Sequence, residues 1–337
     1  MKAAQKLSPV QNPSYLTPPI HSSGAIMTRS LLLLLTLIAA SPALAAEPLK
    51  LGMLQIEDSA PFYVAEQEKF YQREGLEVEL IPFLSAIERD SALAAGAIDG
   101  AIADPVGAIL FDRGQGRLKI TSLCLGEHPA EGVFAILASP KSGLATAADL
   151  KGVEIAVSNS TIIEYVTDRM LEQQGFKPEE VKKVEVVKMP IRMQMLLSDS
   201  VRAATLPEPL ASIAAGKGAK VLLTDADGTE SLSQTVIVFR PEVLEKRRAD
   251  VASFFKAYAD AVTAINADPE KYRALVVDKG RIPPTLAATY PIPRYPAPAP
   301  FSPALYAPII DWLAAKHLVE KTPYASMVAT DFMGDAH

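Results

Sequence analysis

The chain has 337 residues, which is long enough for two domains of ordinary size, and 49% of them are hydrophobic while 21% are charged. These fractions are typical of a globular protein and exclude a chain that is disordered throughout. The net charge of −6 does not favour binding to nucleic acid or to an anionic membrane surface. A single cysteine, Cys124, excludes an internal disulfide bond.

An apolar run near the N-terminus, residues 31–40 (LLLLLTLIAA), predicts export of the protein. Arg29 precedes the run and Ala43-Leu44-Ala45 follows it, an order typical of a cleavable secretory signal peptide. The run is too short for a transmembrane helix, which needs about 20 apolar residues. We therefore expect residues 1–45, an upstream segment plus the signal peptide, to be removed. Since no cysteine follows the run, we expect a periplasmic protein without a lipid anchor.

The first half of the remaining chain is predicted to alternate between strands and helices. The elements, in chain order, are strand 49–56, helix 61–74, strand 76–81, a helix from Ser85 to about Gly96, strand 98–103 and helix 105–112. This order is typical of a parallel sheet covered by helices.

The same alternation begins again after Gly152. The elements are strand 153–157, helix 162–174, strand 184–187, helix 191–197, strand 201–206 and strand 220–223. Two similar strands, 133–137 (VFAIL) and 235–239 (TVIVF), stand before and after this second half. We expect these two strands to act as hinges that carry the chain between two lobes.

The C-terminal part is predicted to return to the first lobe, because it contains helices and no third strand–helix unit. Apolar residues between 251 and 265 recur at helical spacing, whereas residues 282–300 are rich in proline and should run extended over the surface. Lobe 1 is therefore predicted to comprise residues 46–135 and 237–337, and lobe 2 residues 136–236.

Two corners of the chain resemble each other, one in each half. Each consists of a short apolar strand, a carboxylate and a proline that opens a helix, at Asp104-Pro105 and at Glu208-Pro209. Open α/β sheets place their ligands at such strand ends. The corners therefore predict a ligand site with one acid from each lobe.

An ordered series of segments resembles the periplasmic substrate-binding proteins of ABC importers for sulfonates, taurine, nitrate and thiamine-precursor pyrimidines. The segments are PFYVAEQEKFYQREGLEVEL, ALAAGAIDGAIAD, ADLKGVEIAVSNST, LPEPLASI and FFKAYADAVTAINADPEKY. This resemblance implies an α/β, two-lobe periplasmic binding protein fold (type II-like) with two hinge crossovers. It also implies a monomer that closes on a small molecule and delivers it to an ABC permease and its ATPase.

In such a fold, the loops after the strands supply the other candidate ligand contacts. They are Glu57, Asp58, Ser85 and Glu127 on the first lobe or hinge, with Asn159, Ser160, Thr161 and Tyr165 opposite. Ser85, Asp104 and Thr161 also suit helix capping, and Tyr165 also suits a core position, whereas Glu208 is a poor capping residue. Capping and ligand contact stay open as alternatives for the first three. For Glu57 and Asp58 the alternative to ligand contact is that they are solvated loop acids.

The charges of these loops favour a ligand that carries an amine. The loops contain several acids and no Arg or Lys, so an anion would meet like charges. We therefore prefer an amine-bearing or aminopyrimidine-like heterocycle to nitrate or a simple sulfonate. A taurine or alkanesulfonate-type binding protein is the alternative, since taurine keeps an amine.

The sequence predicts no enzyme activity, metal or cofactor. The histidines have no spacing suited to zinc, and neither a Gly-x-Ser-x-Gly elbow nor a phosphate-binding loop is present. Paired carboxylates could in principle perform general acid–base chemistry, which leaves a periplasmic enzyme as the remoter alternative.

Overall fold

The computed structural model describes residues 47–332, and the predicted signal peptide with its upstream segment lies outside the described residues. The strands in this range are β1 (Leu49–Leu54), β2 (Val78–Phe83), β3 (Gly100–Ala103), β4 (Lys119–Leu125), β5 (Phe134–Ala138), β6 (Glu154–Val157), β7 (Lys182–Glu185), β8 (Ala203–Pro207), β9 (Lys220–Thr224) and β10 (Thr235–Phe239). They form two separate five-stranded sheets.

Twelve α-helices in the same range cover these sheets. They are α1 (Ala60–Gln67), α2 (Phe70–Arg73), α3 (Ala86–Ala94), α4 (Pro105–Asp112), α5 (Ile162–Gln173), α6 (Met189–Leu197), α7 (Leu210–Gly216), α8 (Pro241–Lys246), α9 (Arg248–Ala267), α10 (Pro269–Lys279), α11 (Pro303–Ala315) and α12 (Tyr324–Met327). The prediction of a single helix over 61–74 is wrong, because the segment forms two helices, α1 and α2. Lys69 adopts a left-handed conformation (φ 60°), which ends α1 and starts α2 in a new direction.

The two sheets share one topology. Their strand orders are β2-β1-β3-β10-β4 and β7-β6-β8-β5-β9. In each sheet four strands run in the same direction, and the strand that enters from the other half of the chain, β10 or β5, lies between two of them and pairs antiparallel with both. The predicted parallel, helix-covered lobes with two crossovers are thus confirmed.

One helix and one buried side chain repeat at a fixed interval in the two halves. Helix α6 begins 103 residues after α3, and both helices have nine residues. Arg89 of α3 and Arg192 of α6 occupy the same position, and each Nη1 donates to a strand carbonyl at 2.9 Å, that of Ile102 or Thr205. In this register Asp104 is equivalent to Pro207. The acid Glu208 therefore lies one residue beyond the position that the similarity of the two corners suggested.

Each lobe has its own apolar core, and a third cluster joins the lobes. Phe62, Phe254 and Tyr258 pack between the first sheet and the helices α1 and α9, while Leu196 and Leu206 belong to the core of the second lobe. The third cluster contains buried residues of α4, α5 and α11. Burial of this apolar surface stabilises the junction between the lobes.

The proline-rich segment 282–300 is free of helix, as predicted, but it is not confined to the surface. Tyr290 and Tyr295 are buried in the core of the first lobe. The backbone of the segment is held at Ala299, whose carbonyl accepts from the Leu123 amide at 2.9 Å, and at Tyr295, whose amide donates to Asn266 at 2.9 Å. We call residues 282–300 the strap.

Candidate ligand-binding cleft between the lobes

The carboxyl ends of the parallel strands of both sheets face the junction between the lobes. In the first sheet, Val236 at the start of β10 pairs with Ala103 at the end of β3. In the second, Phe134 at the start of β5 pairs with Pro207 at the end of β8. Since the chain enters each sheet at the edge where the parallel strands end, these two edges face each other. We call the space between them the cleft.

Glu57 and Asp58 follow β1 in a short 3-10 turn, and each is only 4% exposed. The alternative that they are merely solvated loop acids is therefore wrong. Oε1 of Glu57 accepts a hydrogen bond from the Tyr290 hydroxyl at 2.9 Å, while Oε2 has no partner among the described residues. Burial, followed by the charge of Asp58, raises the pKa of Glu57 to about 8. Glu57 is thus mostly protonated at neutral pH when no cation is near.

Asp58 points toward the crossover that enters the first sheet. Its Oδ2 accepts a hydrogen bond from the Thr235 hydroxyl at 2.5 Å, and burial raises its pKa. Thr235 is the first residue of β10, so Asp58 links the turn after β1 to the hinge. Both acids of this turn are held by hydroxyl groups rather than by cationic side chains.

Glu208 of the second lobe faces this acidic turn. Its negative charge contributes to the raised pKa of both Glu57 and Tyr290. Burial also raises the pKa of Glu208 itself. Its Oε2 accepts a long hydrogen bond, 3.3 Å, from the amide of Ser212 in the first turn of α7, so Glu208 does help to cap that helix. Glu57 and Glu208, one acid from each lobe, are therefore near enough for the charge of Glu208 to act on Glu57.

Asp104 has the capping role that was one of its two predicted alternatives. It is the N-cap of α4, and its Oδ1 accepts from the Gly107 amide at 2.7 Å. Burial raises its pKa, and the Gly107 amide and the Arg89 charge oppose that shift. Ser85 caps α3 in the same way, accepting from Glu88 at 3.2 Å. Contact of either residue with a ligand stays a prediction.

The loop before α5 presents polar groups from the second lobe. Asn159 and Ser160 are exposed, and Ser160 has a left-handed conformation (φ 55°). Thr161 caps α5, with its hydroxyl accepting from the Ile163 amide at 3.2 Å. Oε2 of Glu164 accepts from the Ser160 amide at 2.6 Å, which fixes the turn. Ligand contact by these three loop residues stays a prediction.

Two predicted contacts have other surroundings in the structure. The ring of Tyr165 is buried and packs edge-on against Trp312 of α11, with ring centroids 5.4 Å apart. Glu127 is exposed and lines a groove of about 510 Å³ together with Asn266 and Arg294. That groove lies between α9 and the strap. Tyr165 therefore has the core role that was its alternative, and Glu127 lies beside the strap.

Sequence reasoning missed the strap as part of the site. Tyr290 binds the side chain of Glu57, and the hydroxyl of Tyr295 donates to the Glu57 carbonyl at 2.9 Å. Arg273 in turn holds the Tyr290 carbonyl at 2.8 Å. The sequence does contain one signal for this role, two tyrosines within the proline-rich segment. Large aromatic rings are more often buried than exposed, so they indicate that the segment packs on the core.

No arrangement for a metal is found in residues 47–332, where no cluster of three His, Cys, Asp or Glu side chains could hold an ion. Within the same residues, no helix is long and apolar enough to cross a membrane. The hydrogen bonds of the cleft acids come from Tyr290, Thr235 and Ser212. Chemically, the cleft offers buried acceptors to a donor-bearing small molecule.

Two helix-covered α/β lobes, joined by two crossovers and facing each other with the ends of their parallel strands, define the periplasmic binding protein fold. A family model described as NMT1/THI5 like matches residues 56–272. The match covers more than half of the chain, so the chain belongs to the NMT1/THI5-like family, and the resemblance found in the sequence is confirmed. Comparison with curated proteins finds no match.

Solved structures with this fold include binding proteins and an enzyme. The aliphatic sulphonate binding protein SsuA from Escherichia coli has a TM-score of 0.71 and 20% identity, over 84% of this chain and 97% of SsuA. The ligand-binding component of an ABC-type import system from Staphylococcus aureus, with zinc bound, has a TM-score of 0.69 and 19% identity, over 86% and 98%. The desulfurization enzyme DSZB has a TM-score of 0.63 and 15% identity, over 84% and 97%. At these identities the likeness concerns the fold.

Proposed function

We propose that the chain is the periplasmic solute-binding component of an ABC importer, which captures a small organic molecule between its lobes. The fold, the family and the similarity to binding components of import systems support this function. The predicted signal peptide supports a periplasmic location, with a permease and its ATPase as transient partners of a monomer. The protein has no catalytic role in this proposal.

The preferred ligand carries an amine or an amidine-like ring nitrogen, as an aminopyrimidine does. The observation that carries this preference is the buried Oε2 of Glu57, which has no partner among the described residues while Glu208 faces it. A ligand N–H provides the missing hydrogen bond. A positive ligand also offsets the repulsion between the two carboxylates, so Glu57 gives up its proton when such a ligand binds.

In the proposal the two lobes close on the ligand, because the acids that contact it belong to different lobes. Glu57 belongs to the first lobe and Glu208 to the second, so a ligand that contacts both binds the closed arrangement better than the open one. Asp58 couples the same turn to Thr235 at the hinge. In the proposal Asn159, Ser160 and Thr161 supply further polar contacts from the second lobe, and Ser85 and Asp104 from the first.

A taurine or alkanesulfonate ligand is the second candidate, and one observation favours it. Arg192 is buried beneath the loop before α5, where it donates to the carbonyls of Val186 and Thr205 and to the hydroxyl of Ser158. Burial lowers its pKa to about 10. Its charge, which lies near the N-terminal end of α5, would favour an anionic group at this loop.

The experiment that tests the proposed function is a thermal-shift screen, followed by recovery of each hit compound. Amine-bearing heterocycles, taurine and amine-free alkanesulfonates form the panel. We expect a rise in melting temperature that grows with ligand concentration, and recovery of the compound unchanged. Chemical alteration of a hit would instead favour the remoter alternative, a periplasmic enzyme that uses the paired carboxylates and shares its fold with DSZB.

A further inference from the structure

Exposed apolar side chains are concentrated at two places on the molecule. Among the described residues, six large hydrophobic side chains are exposed, and five of them lie after β2 or β7, in the loop or in the first turn of the helix that follows, with exposures between 39% and 81%. They are Leu84 and Ile87 at the start of α3, with Val187, Met189 and Ile191 at the start of α6. We call these two groups the rims. The sixth residue, Val221, lies on β9.

The rims occupy equivalent places in the two lobes. Leu84 and Val187 are 103 residues apart, the same interval that relates α3 to α6. Strands β2 and β7 are the edge strands farthest from the crossover strands in their sheets. Both strands end at the cleft, so the rims stand at the cleft's open end, opposite the hinge.

Local helix structure does not account for the two rim residues that precede the helices. Leu84 and Val187 directly precede the N-caps of α3 and α6, a position from which an apolar side chain usually packs on the fourth residue of the helix. Here that fourth residue is Arg89 or Arg192. Both arginines are buried and bonded to strand carbonyls. Leu84 and Val187 therefore lack the apolar partner that a residue at this position often has on its own helix.

The cleft thus changes in character along its length. Near the hinge it contains two acids, the buried Glu57 and the half-buried Glu208, and at its mouth it has apolar rims from both lobes. We propose that the ligand is an amphiphilic organic cation, whose donor group binds the acids while its apolar part lies between the rims. This inference rests on the proposed function and adds the apolar part of the ligand to it.

The dimensions of the cleft suit a small molecule of this kind. Strand β2 is the immediate neighbour of β1, which leads to Glu57, and β7 is the neighbour of β6. Adjacent strands lie about 4.8 Å apart, so the rim of each lobe is one or two strand spacings, roughly 5–10 Å, from the strands that carry the polar loops. An apolar group of a few carbons spans that distance.

A homologous series of n-alkylguanidinium ions, from methyl to octyl, tests the inference by calorimetry at pH 8. We expect the affinity to rise roughly threefold to fourfold for each methylene that the rims cover. Equal affinity along the series would overturn the amphiphilic ligand while leaving the cation site intact. Failure of every member to bind would contradict the proposed cation-binding function itself.

The double variant L84S/V187S, with Val221→Ser as the matched control, locates the apolar contact. All three positions are exposed in the structure, so we expect the variants to fold, which circular dichroism verifies. The double variant should flatten the dependence of affinity on chain length, and V221S should keep it. If L84S/V187S keeps the wild-type dependence of affinity on chain length, the rims do not contact the ligand, and the inference is wrong.

Discussion

The hydroxyl of Tyr290 donates to Oε1 of Glu57 at 2.9 Å, a contact that joins the strap to the turn after β1 across most of the sequence. This hydrogen bond favours the charged form of Glu57, while burial and Asp58 oppose it. The strap therefore helps to set the charge of the residue on which the proposed ligand specificity rests.

Replacement of Tyr290 by Phe should weaken the binding of an organic cation about threefold to tenfold. The variant loses one hydrogen bond to the carboxyl group and raises the pKa of Glu57 further, so more free energy is needed to ionise it. Calorimetry measures the change. Tyr306→Phe is the matched control, because its hydroxyl bonds to the Thr322 carbonyl at 2.8 Å, away from the cleft acids. Equal losses in both variants would exclude a specific role for Tyr290.

Cation binding should depend on pH below about 8. The pKa of Glu57 is about 8 without ligand, so below that pH a proton must leave before a cation can pair with the carboxylate. Affinity for a guanidinium ion, whose own charge is constant, should therefore rise from pH 6 to pH 8 and then level off. Titration in buffers of different ionisation enthalpy should detect the released proton. In Glu57→Gln the dependence should disappear, and persistence of the same slope would assign it to another group.

Asp225 allows a test of which protonation state the packing at the hinge requires. It is buried between the crossovers, where Oδ1 accepts from the Phe134 amide at 2.8 Å and Oδ2 has no partner among the described residues. Burial raises its pKa to about 6. A raised carboxyl pKa means that its contribution to stability is fully present below about pH 4 and is lost as the pH rises through 6.

Asp225→Asn should accordingly stabilise the protein at pH 7 and leave it unchanged near pH 4, since Asn keeps the acceptor for Phe134. Asp225→Ala loses that acceptor and should destabilise it by about 1–3 kcal/mol at pH 4. Urea unfolding at the two pH values measures both effects. A destabilised Asn variant at pH 7 would show that the carboxylate, rather than the acid, is the required form.

The periodicity of the sequence predicted the helix-covered sheets, and the resemblance to the family implied their arrangement as two lobes. Alternating strands and helices, Pro at helix starts and Gly at helix ends are local signals, and they marked both lobes and the order of their elements. The break at Lys69 could not be predicted. Its backbone is left-handed, a conformation that glycine usually marks in a sequence and that lysine does not.

The site was harder to predict because its partners are distant in sequence. Glu57 was a candidate, but its burial depends on Tyr290 and Tyr295, which are more than 230 residues away. The similarity of the two corners aligned Asp104 with Glu208, which is wrong by one residue. The equivalent arginines Arg89 and Arg192 show that the two halves are related by an interval of 103 residues, which aligns Asp104 with Pro207. A buried arginine gives no local signal that separates it from a solvated one.

The most direct test of the central claim is calorimetric binding of an amine-bearing heterocycle and of an amine-free alkanesulfonate to the wild-type protein and to Glu208→Gln. Gln keeps the size of the side chain and an acceptor for Ser212 while removing the charge that faces Glu57. The account predicts that the wild type binds the amine and that E208Q loses about tenfold to a hundredfold in affinity for it. Tighter binding of the alkanesulfonate, unchanged or improved in E208Q, would contradict the account.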